Sequence, residues 1–402
     1  MATVAIIAEY NPFHSGHLYH INKIREEFGE DTAVIVIMSG NFTQRGEVSF
    51  ADKLTRAKCA VICGANLVLE LPFPYSIASA DIFAKSGVHI ANNLGNIEYL
   101  SFGSESGNIA LLSEVAEIML SDEYKKSFSK FSSDKSLGYA KVCELAYIDC
   151  AGENKRFDFS SNNILAIEYI KALKASGSKI KPHTVKRNGA DYSSESFTKD
   201  YEFQSATAIR NAFSEKTETA LRYIPKEIHS ILKNGITEKE FPCNGEKLSP
   251  AIISHYRLSS ASAGSDIHDA GNGLYNRLIS ASIKATNLSS LLTLTETKKF
   301  TKARIRRAMW YGFLGVTSSD VKTAPRFTQI LAMDRIGISK LKTIERNENF
   351  YVLTKPADCK HFDDVALRQK NLSERADSVF ELTRPDPKPG DTAIKLTPYV
   401  KK

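Results

Sequence analysis

The sequence predicts an α/β protein built on a Rossmann-like, doubly wound parallel sheet, and three observations carry that prediction. The chain opens on an unbroken apolar run, Val4-Ala5-Ile6-Ile7-Ala8. A strand covered on both faces needs such a run, without polar alternation. A comparable run recurs at 33–38, and 67–71 is apolar but for Glu70, each followed by a segment with helical spacing. Polar and Gly/Pro-rich stretches then fall at 11–17, 39–47, 71–75 and 103–106. These lie just past the predicted strand ends, where sheets of this kind bind ligands.

Each element has a local reason. Asn11-Pro12 stops the first strand, because the residue before proline is pushed away from helical angles. From Ser15 the spacing turns helical, with Leu18, Ile21, Ile24 and Phe28 on one face and Lys23, Arg25, Glu26 and Glu27 elsewhere. A second buried strand at 33–38 leads through a loop ending at Gly46 to a helix at 52–63, whose Cys59 and Cys63 face the core. The third strand, 67–71, is ended by Pro72 and Pro74. A helix at 80–92 and a fourth strand at 97–102 follow. Residues 107–180 read as mainly helical, from the spacing of Ile109, Leu112, Val115 and Ile118 and again along 164–173. Residues 183–186 supply one more strand. The stretch 188–204, rich in Ser, Gly and charge, reads as a mobile loop beside the substrate, and Ser205 as the N-cap of a helix. Beyond Phe213 the alternation fades. Residues 215–325 look mostly helical, with an interruption at 262–273, and 326–402 look mixed, with a loosely packed Pro-rich tail after Arg384.

At 402 residues the chain exceeds one ordinary core. The division expected is a catalytic domain at 1–214 and a mostly helical, basic region at 215–402. No run approaches the roughly 18 apolar residues of a membrane span, no secretory leader is visible, and six cysteines form no disulfide framework. A reduced, cytoplasmic protein without a membrane partner is expected. The net charge is +7, and it is concentrated: between Glu296 and Lys342 stand eleven basic residues against three acids. Such an excess is the footprint of a polyanionic partner.

The chemistry centres on Asn11-Pro12-Phe13-His14-Ser15-Gly16-His17. A helix N-terminus offers unpaired N–H groups and partial positive charge to an anion. Gly16 allows close approach to the backbone, and His14 and His17 can donate to phosphate oxygens. Zinc ligation by His14, His17 and His20 is the competing reading, but no Cys or carboxylate stands nearby at ligand spacing. No metal site is expected.

The His14-Ser15-Gly16-His17 element after a first strand resembles the HxGH motif of the nucleotidyltransferase superfamily. The longer run Ala8-Glu9-Tyr10-Asn11-Pro12-Phe13-His14-Ser15-Gly16-His17-Leu18-Tyr19-His20 is similar to that of the bacterial tRNA(Met) cytidine acetate ligases. Further segments of that family appear in order: Met38 to Glu47, Leu67 to Phe73, Phe102-Gly103-Ser104-Glu105, Ser161 to Leu165 and Ser205-Ala206-Thr207-Ala208-Ile209-Arg210. The resemblance implies an HxGH nucleotidyltransferase fold and an ATP-dependent ligase. Such an enzyme would activate acetate as acetyl-adenylate and acetylate N4 of the wobble cytidine of elongator tRNA(Met). It also implies an ATP site over Ile7, Ala8, Glu9, Tyr10, Asn11, Pro12, Phe13, His14, Ser15, Gly16, His17, Leu18, Tyr19 and His20, extended by Gly103, Asn162 and Arg187. His14 and His17 would be the catalytic pair. Asn163, Ser205, Thr207 and Arg210 are further phosphate-contact candidates, with Ser205 also readable as a helix cap and one of Asn162 and Asn163 as an N-cap. Gln44, Arg45 and Glu47 either shape the acetate or cytidine pocket or form a structural turn. Mg²⁺ is expected with ATP, bound through substrate and water.

For the RNA, residues 301–310 read as a helix carrying Lys302, Arg304, Arg306 and Arg307, with Ile305, Ala308, Met309 and Gly312 as its apolar stripe. Trp310 and Tyr311 read as mostly core. DNA is not expected as a partner. Two other functions compete: a small-molecule nucleotidyltransferase acting on pantetheine phosphate or a nicotinate nucleotide, and a non-catalytic RNA-binding protein. The first explains the histidines but not the distant positive charge; the second leaves the histidines idle.

Overall fold

The computed structural model describes residues 2–134, 137–187, 203–344, 349–395 and 397–402. The expected loop at 188–204 therefore falls largely outside the described residues, which resume at Phe203.

The first half supplies strands β1 (Thr3–Ala8), β2 (Ala33–Ser39), the short β3 (Phe42–Thr43) and β4 (Glu47–Val48), then β5 (Leu67–Leu71), β6 (Tyr99–Ser104) and β7 (Lys181–Lys186). The last quarter supplies β8 (Phe327–Met333), β9 (Tyr351–Leu353) and β10 (Tyr399–Val400). The main sheet runs β10-β8-β5-β2-β1-β6-β7, with β9 also on β8. From β5 to β7 every pairing is parallel. This is the doubly wound order expected, and β1 sits at its centre because it is apolar on both sides. Val4, Ile6, Val34, Val36 and Met38 face one core. Ala5, Ile7, Ile35, Ile37 and Leu69 face the other. Helices Lys53–Ile62 and Ala206–Glu215 bury residues in the first core, and helices Ala80–Asn93 and Ser161–Ala175 in the second.

Strand boundaries moved little from expectation, β6 beginning two residues later and β7 two residues earlier. The larger departure is in the C-terminal part. β8 pairs antiparallel to β5, with Leu67 opposite Met333, and so extends the sheet built by the first half. The tail after Arg384 does not hang free. Arg384 itself is buried, its guanidinium paired with Glu381 and Glu240, and Tyr399 and Val400 return to pair with β8.

A third core lies among helices Ser249–Leu258, Leu274–Lys284, Leu288–Thr295, Lys302–Leu314 and Asp364–Phe380. Phe42, just after β2, and Phe73, just after β5, insert into it, so this helical layer sits at the carboxyl edge of the sheet. Among the described residues, no helix is long and apolar enough to cross a membrane.

Candidate nucleotide-binding site

The turn after β1 is built around Tyr10, which holds a left-handed φ of 47°. For a residue with a Cβ this costs about 1–3 kcal/mol. Burial of the Tyr10 ring, 4.8 Å from Phe13 and 4.7 Å from His17, offsets it. The turn delivers His14 as the N-cap of helix Ser15–Phe28. His14 Nδ1 accepts from the Gly16 N–H at 3.1 Å, and His17 Nδ1 accepts from the His14 N–H at 3.2 Å. The two rings stack 3.7 Å apart. A neutral imidazole whose Nδ1 accepts carries its proton on Nε2. Both histidines are thereby fixed as Nε2–H donors. Gly16 is needed because a Cβ there would lie 2.9 Å from His14 Cε1.

The anion cradle differs from expectation. The Ser15 N–H donates to Tyr223 O, the Gly16 N–H to the His14 ring and the His17 N–H to His14 O. The first three backbone donors of the helix are already engaged, which leaves the imidazole Nε2–H groups as the donors this helix start can offer.

Burial pushes His14 and His20 each down to about 3, with Arg187 adding to the effect, and holds His17 well below the ordinary 6.5 through burial and then His14. All three are neutral at neutral pH. Unfolding would let each bind a proton below 6.5, so their contribution to stability is full above 6.5 and is lost as pH falls towards 3. Thermal melts between pH 7 and 5 should show stability falling by up to ~1.4 kcal/mol per pH unit for each group, with a shallower slope in His20→Gln.

The rings open onto a cleft of about 540 Å³, counted with the solvent at its mouth. It is lined by His14, Gly16, His17, Tyr19 and His20 of the helix start and by Gly103, Val185, Lys186, Arg187, Phe203 and Gln204. A Cβ on Gly103 would lie 3.1 Å from Arg187 Cγ, so the glycine lets the exposed arginine's stem cross it. The rest of the predicted run serves packing. Ile7, Tyr10 and Phe13 are buried, Ala8 and Leu18 pack on the core, and Pro12 is buried. Asn11 Oδ1 accepts from Phe50 N, Glu9 Oε1 accepts from Gln44 N, and Ser15 Oγ donates to Tyr223 O.

The remaining candidates are not among the residues that line this cleft. Neither asparagine caps its helix: the N-cap of Ser161–Ala175 is Ser160, and Glu105 reaches across to accept from the Asn163 N–H at 2.8 Å. Asn163 is fully buried, accepting from Ser106 N and donating to Asp158 O. Asn162, half-exposed, donates to Glu105 Oε1 at 2.6 Å and is the one of the two nearer solvent. Ser205 is the N-cap of its helix, accepting from Ala208 N at 3.0 Å. Arg210 is held by the protein: it donates to Asn11 O at 2.9 Å, Thr207 Oγ1 at 3.2 Å and Glu47 Oε2 at 3.1 Å.

Arg56, which sequence reasoning passed over, and Glu47, read there as a pocket or turn residue, organise the loops. Arg56 is buried and donates to the carbonyls of Glu9, Ser39, Gly40 and Ala51, tying together the ends of β1 and β2. Only its place one turn into a helix beside two strand ends hinted at this. Glu47 holds Arg210 with one oxygen and Arg306 with the other, the latter at 2.7 Å.

Glu47 leads to the basic helix. Gly46, with φ 73°, packs so closely that a Cβ would lie 2.8 Å from Arg306 Cβ, and Trp310 Nε1 donates to Gly46 O at 2.9 Å. The four basic candidates separate here. Lys302 and Arg306 line a second cleft with Ser289, Thr293 and Glu296. Arg307 turns inward and pairs with Asp269 at 2.7 Å, and Arg304 donates to Asp269 O while stacking on Phe300. Buried Ile305, Ala308, Met309 and Gly312 form the expected stripe, and Trp310 and Tyr311 are core. The concentrated charge also separates. Antiparallel β8 carries Arg335, Lys340 and Lys342 to the amino edge of the sheet, where Lys340 Nζ donates to Thr3 Oγ1 at 2.5 Å.

Comparison with known proteins agrees with this architecture. The HIGH Nucleotidyl Transferase family matches residues 1–393. A protein of Caldanaerobacter subterraneus subsp. tengcongensis named tRNA(Met) cytidine acetate ligase is 36% identical over 380 residues, covering 92% of this chain and 93% of the relative. One of the same name from Acetivibrio thermocellus is 34% identical, with 96% of each chain covered. The crystal structure of Thermotoga maritima TmcAL in its apo form superposes with a TM-score of 0.90 at 29% identity, over 100% of this chain and 99% of that one. TmcAL bound with alpha-thio ATP gives 0.89, at the same identity and coverage. The chain therefore belongs to the HIGH nucleotidyltransferase family, and within it to the tRNA(Met) cytidine acetate ligases.

Proposed function

We propose that this protein acetylates N4 of the wobble cytidine of elongator tRNA(Met), using acetate and ATP, in two steps. An acetate oxygen attacks the α-phosphorus, the bond to the β-phosphate breaks, and acetyl-adenylate and diphosphate result. The cytidine N4 then attacks the acyl carbon, AMP leaves with the bonding electrons, and the amine gives up one proton. Activation is required because the cytosine amine is conjugated with its ring and free acetate is inert. Adenylate formation supplies a leaving group and places the acyl carbon beside the amine.

The observation that carries this reading is the capped imidazole pair, two fixed Nε2–H donors at the mouth of a cleft. Donors held in advance stabilise the charge that develops on departing phosphate oxygens. The reading assigns ATP to this cleft, His14 and His17 to its phosphates, and Arg187 to a further phosphate contact. Gly103 and Asn162 would bound the nucleotide. Arg210, Thr207, Ser205 and Asn163 would act by shaping the surrounding loops. No carboxylate lines the cleft among the described residues, which suits a Mg²⁺ held through phosphate oxygens and water. Residues 1–214 would carry the ATP chemistry and 215–402 would hold the RNA, in the cytoplasm and away from any membrane or DNA. The small-molecule alternative accounts for the cleft but not for relatives matched along nearly the whole chain.

Purified protein, ATP, labelled acetate and bulk tRNA should leave label in RNA as N4-acetylcytidine; RNA without label would overturn the proposal. Arg306→Ala should weaken RNA binding and lower the log–log salt slope by about one, with ATP affinity unchanged. Anisotropy titrations at several salt concentrations measure both.

A further inference from the structure

Behind His20 runs a line of hydrogen bonds that phosphate binding does not use. His20 Nε2 lies 2.7 Å from Ser101 Oγ, and Ser101 Oγ lies 2.9 Å from His183 Nδ1. His183 Nε2 lies 2.9 Å from Glu27 Oε2 at the surface. We propose that this line sets the proton polarity of His20, so that the cleft meets a hydrogen-bond acceptor there and selects a 6-aminopurine nucleotide over a 6-oxopurine one. The inference rests on the reading of the cleft as an ATP site.

The polarity follows link by link. An ionised carboxylate only accepts, so Glu27 takes the proton on His183 Nε2. The Nε2–H tautomer of His183 presents a bare Nδ1, which accepts from the Ser101 hydroxyl. The Ser101 oxygen in turn accepts from His20 Nε2–H. That leaves His20 Nδ1 unprotonated, and it has no hydrogen-bond partner among the described residues while its ring lines the cleft. Ser101 is fully buried on the central part of the sheet, so water does not replace it, and Phe28 packs edge-on against the His183 ring at 5.0 Å.

Position along the cleft names the part of the nucleotide concerned. His14 and His17 mark the phosphate end at the start of the helix, and His20 stands three residues further on, ~4.5 Å along the axis. Gly103 and Val185 line the same cleft. A base lying there would offer an amino hydrogen to Nδ1 if it is adenine. A 6-oxo group would bring two acceptors together, an arrangement that buried sites reject. His20 is thus the specificity residue, with Ser101, His183 and Glu27 as positioning residues.

The test compares ATP with ITP in acetate-dependent diphosphate exchange and in calorimetric binding, using wild type, Ser101→Ala, Glu27→Gln and Glu27→Asp. Wild type should prefer ATP. Ser101→Ala frees both tautomers of His20, and the ATP:ITP ratio of kcat/KM should fall about tenfold. Glu27→Gln, exposed and tolerant of change, should lower the ratio in the same direction, and Glu27→Asp should restore it. A structural role alone would lower activity with both nucleotides and leave the ratio unmoved. Ratios within about twofold of wild type in Ser101→Ala and Glu27→Gln, in exchange or in binding, would overturn the inference. Absence of exchange in wild type would instead overturn the acetate-activation reading, while the binding ratio still decides this one.

Discussion

Replacing His17 with alanine should reduce acetate-dependent diphosphate exchange by about 10²–10³-fold, the loss found when one fixed donor to a developing oxyanion is removed. RNA affinity should not change, because Lys302 and Arg306 lie on a separate cleft. Two effects add. The Nε2–H donor disappears, and the His14 N–H loses its acceptor, which frees the turn that aims His14. His17→Asn separates them. Asparagine is short but can still accept from the cap backbone, so it should recover thermal stability and little of the exchange rate. Loss of a cap alone is worth ~1 kcal/mol of stability, far too little to unfold the chain. Exchange kinetics and melts on the same preparations measure both quantities. Equal activity in His17→Ala and wild type would remove the phosphate role from this helix.

The largest expected loss of stability is at Lys53. Its ammonium lies 2.8 Å from Glu70 and 2.6 Å from Asp377, all three side chains buried. Asn41 supports the cluster, donating to Asp377 and accepting from the Lys53 N–H. Asp377 belongs to helix Asp364–Phe380, so the cluster fastens the C-terminal layer to the carboxyl ends of β2 and β5. Lys53→Met should cost about 3–5 kcal/mol, because two carboxylates would be left buried without a counter-charge. Burial already pushes Glu70 up to about 7 with Lys53 in place. A carboxyl whose folded value is raised adds stability at low pH and loses it as pH rises through that value. Lys53→Met should therefore lose less stability relative to wild type at pH 5 than at pH 8. Adding Glu70→Gln and Asp377→Asn should restore much of the loss and flatten that pH dependence. Denaturant titrations of the single and triple variants check the sign and the size.

Much was legible in the order of residues alone. Unbroken apolar runs marked β1 and β2, because a strand buried on both faces has little place for a polar side chain, and β5 was marked, despite Glu70, by its other apolar residues and the prolines that end it. Asn11-Pro12 and His14-Ser15-Gly16-His17 marked the turn and the helix start, since both depend on neighbours within a few positions. The alternation of strand and helix was enough to imply a doubly wound sheet. Other features depended on contacts between distant residues. That β8 closes against β5 was hidden, because 327–333 has an apolar pattern that names no partner 258 positions away, the separation across which Thr328 bonds to Glu70. That pairing sends the later basic residues to the far edge of the sheet, so charge contiguous in the chain is not contiguous in space. Arg307 faces Asp269 and Arg306 faces Glu47, although periodicity makes them adjacent members of one basic helix. Even the candidate site was only half visible. The histidines could be read, but not that Tyr223 and the rings themselves engage the backbone donors. Local sequence decides which groups must be buried or turned, since backbone preference and hydrophobicity act residue by residue. Which partner each buried polar group meets is decided only when distant segments pack together, because only packing brings a donor within reach of its acceptor.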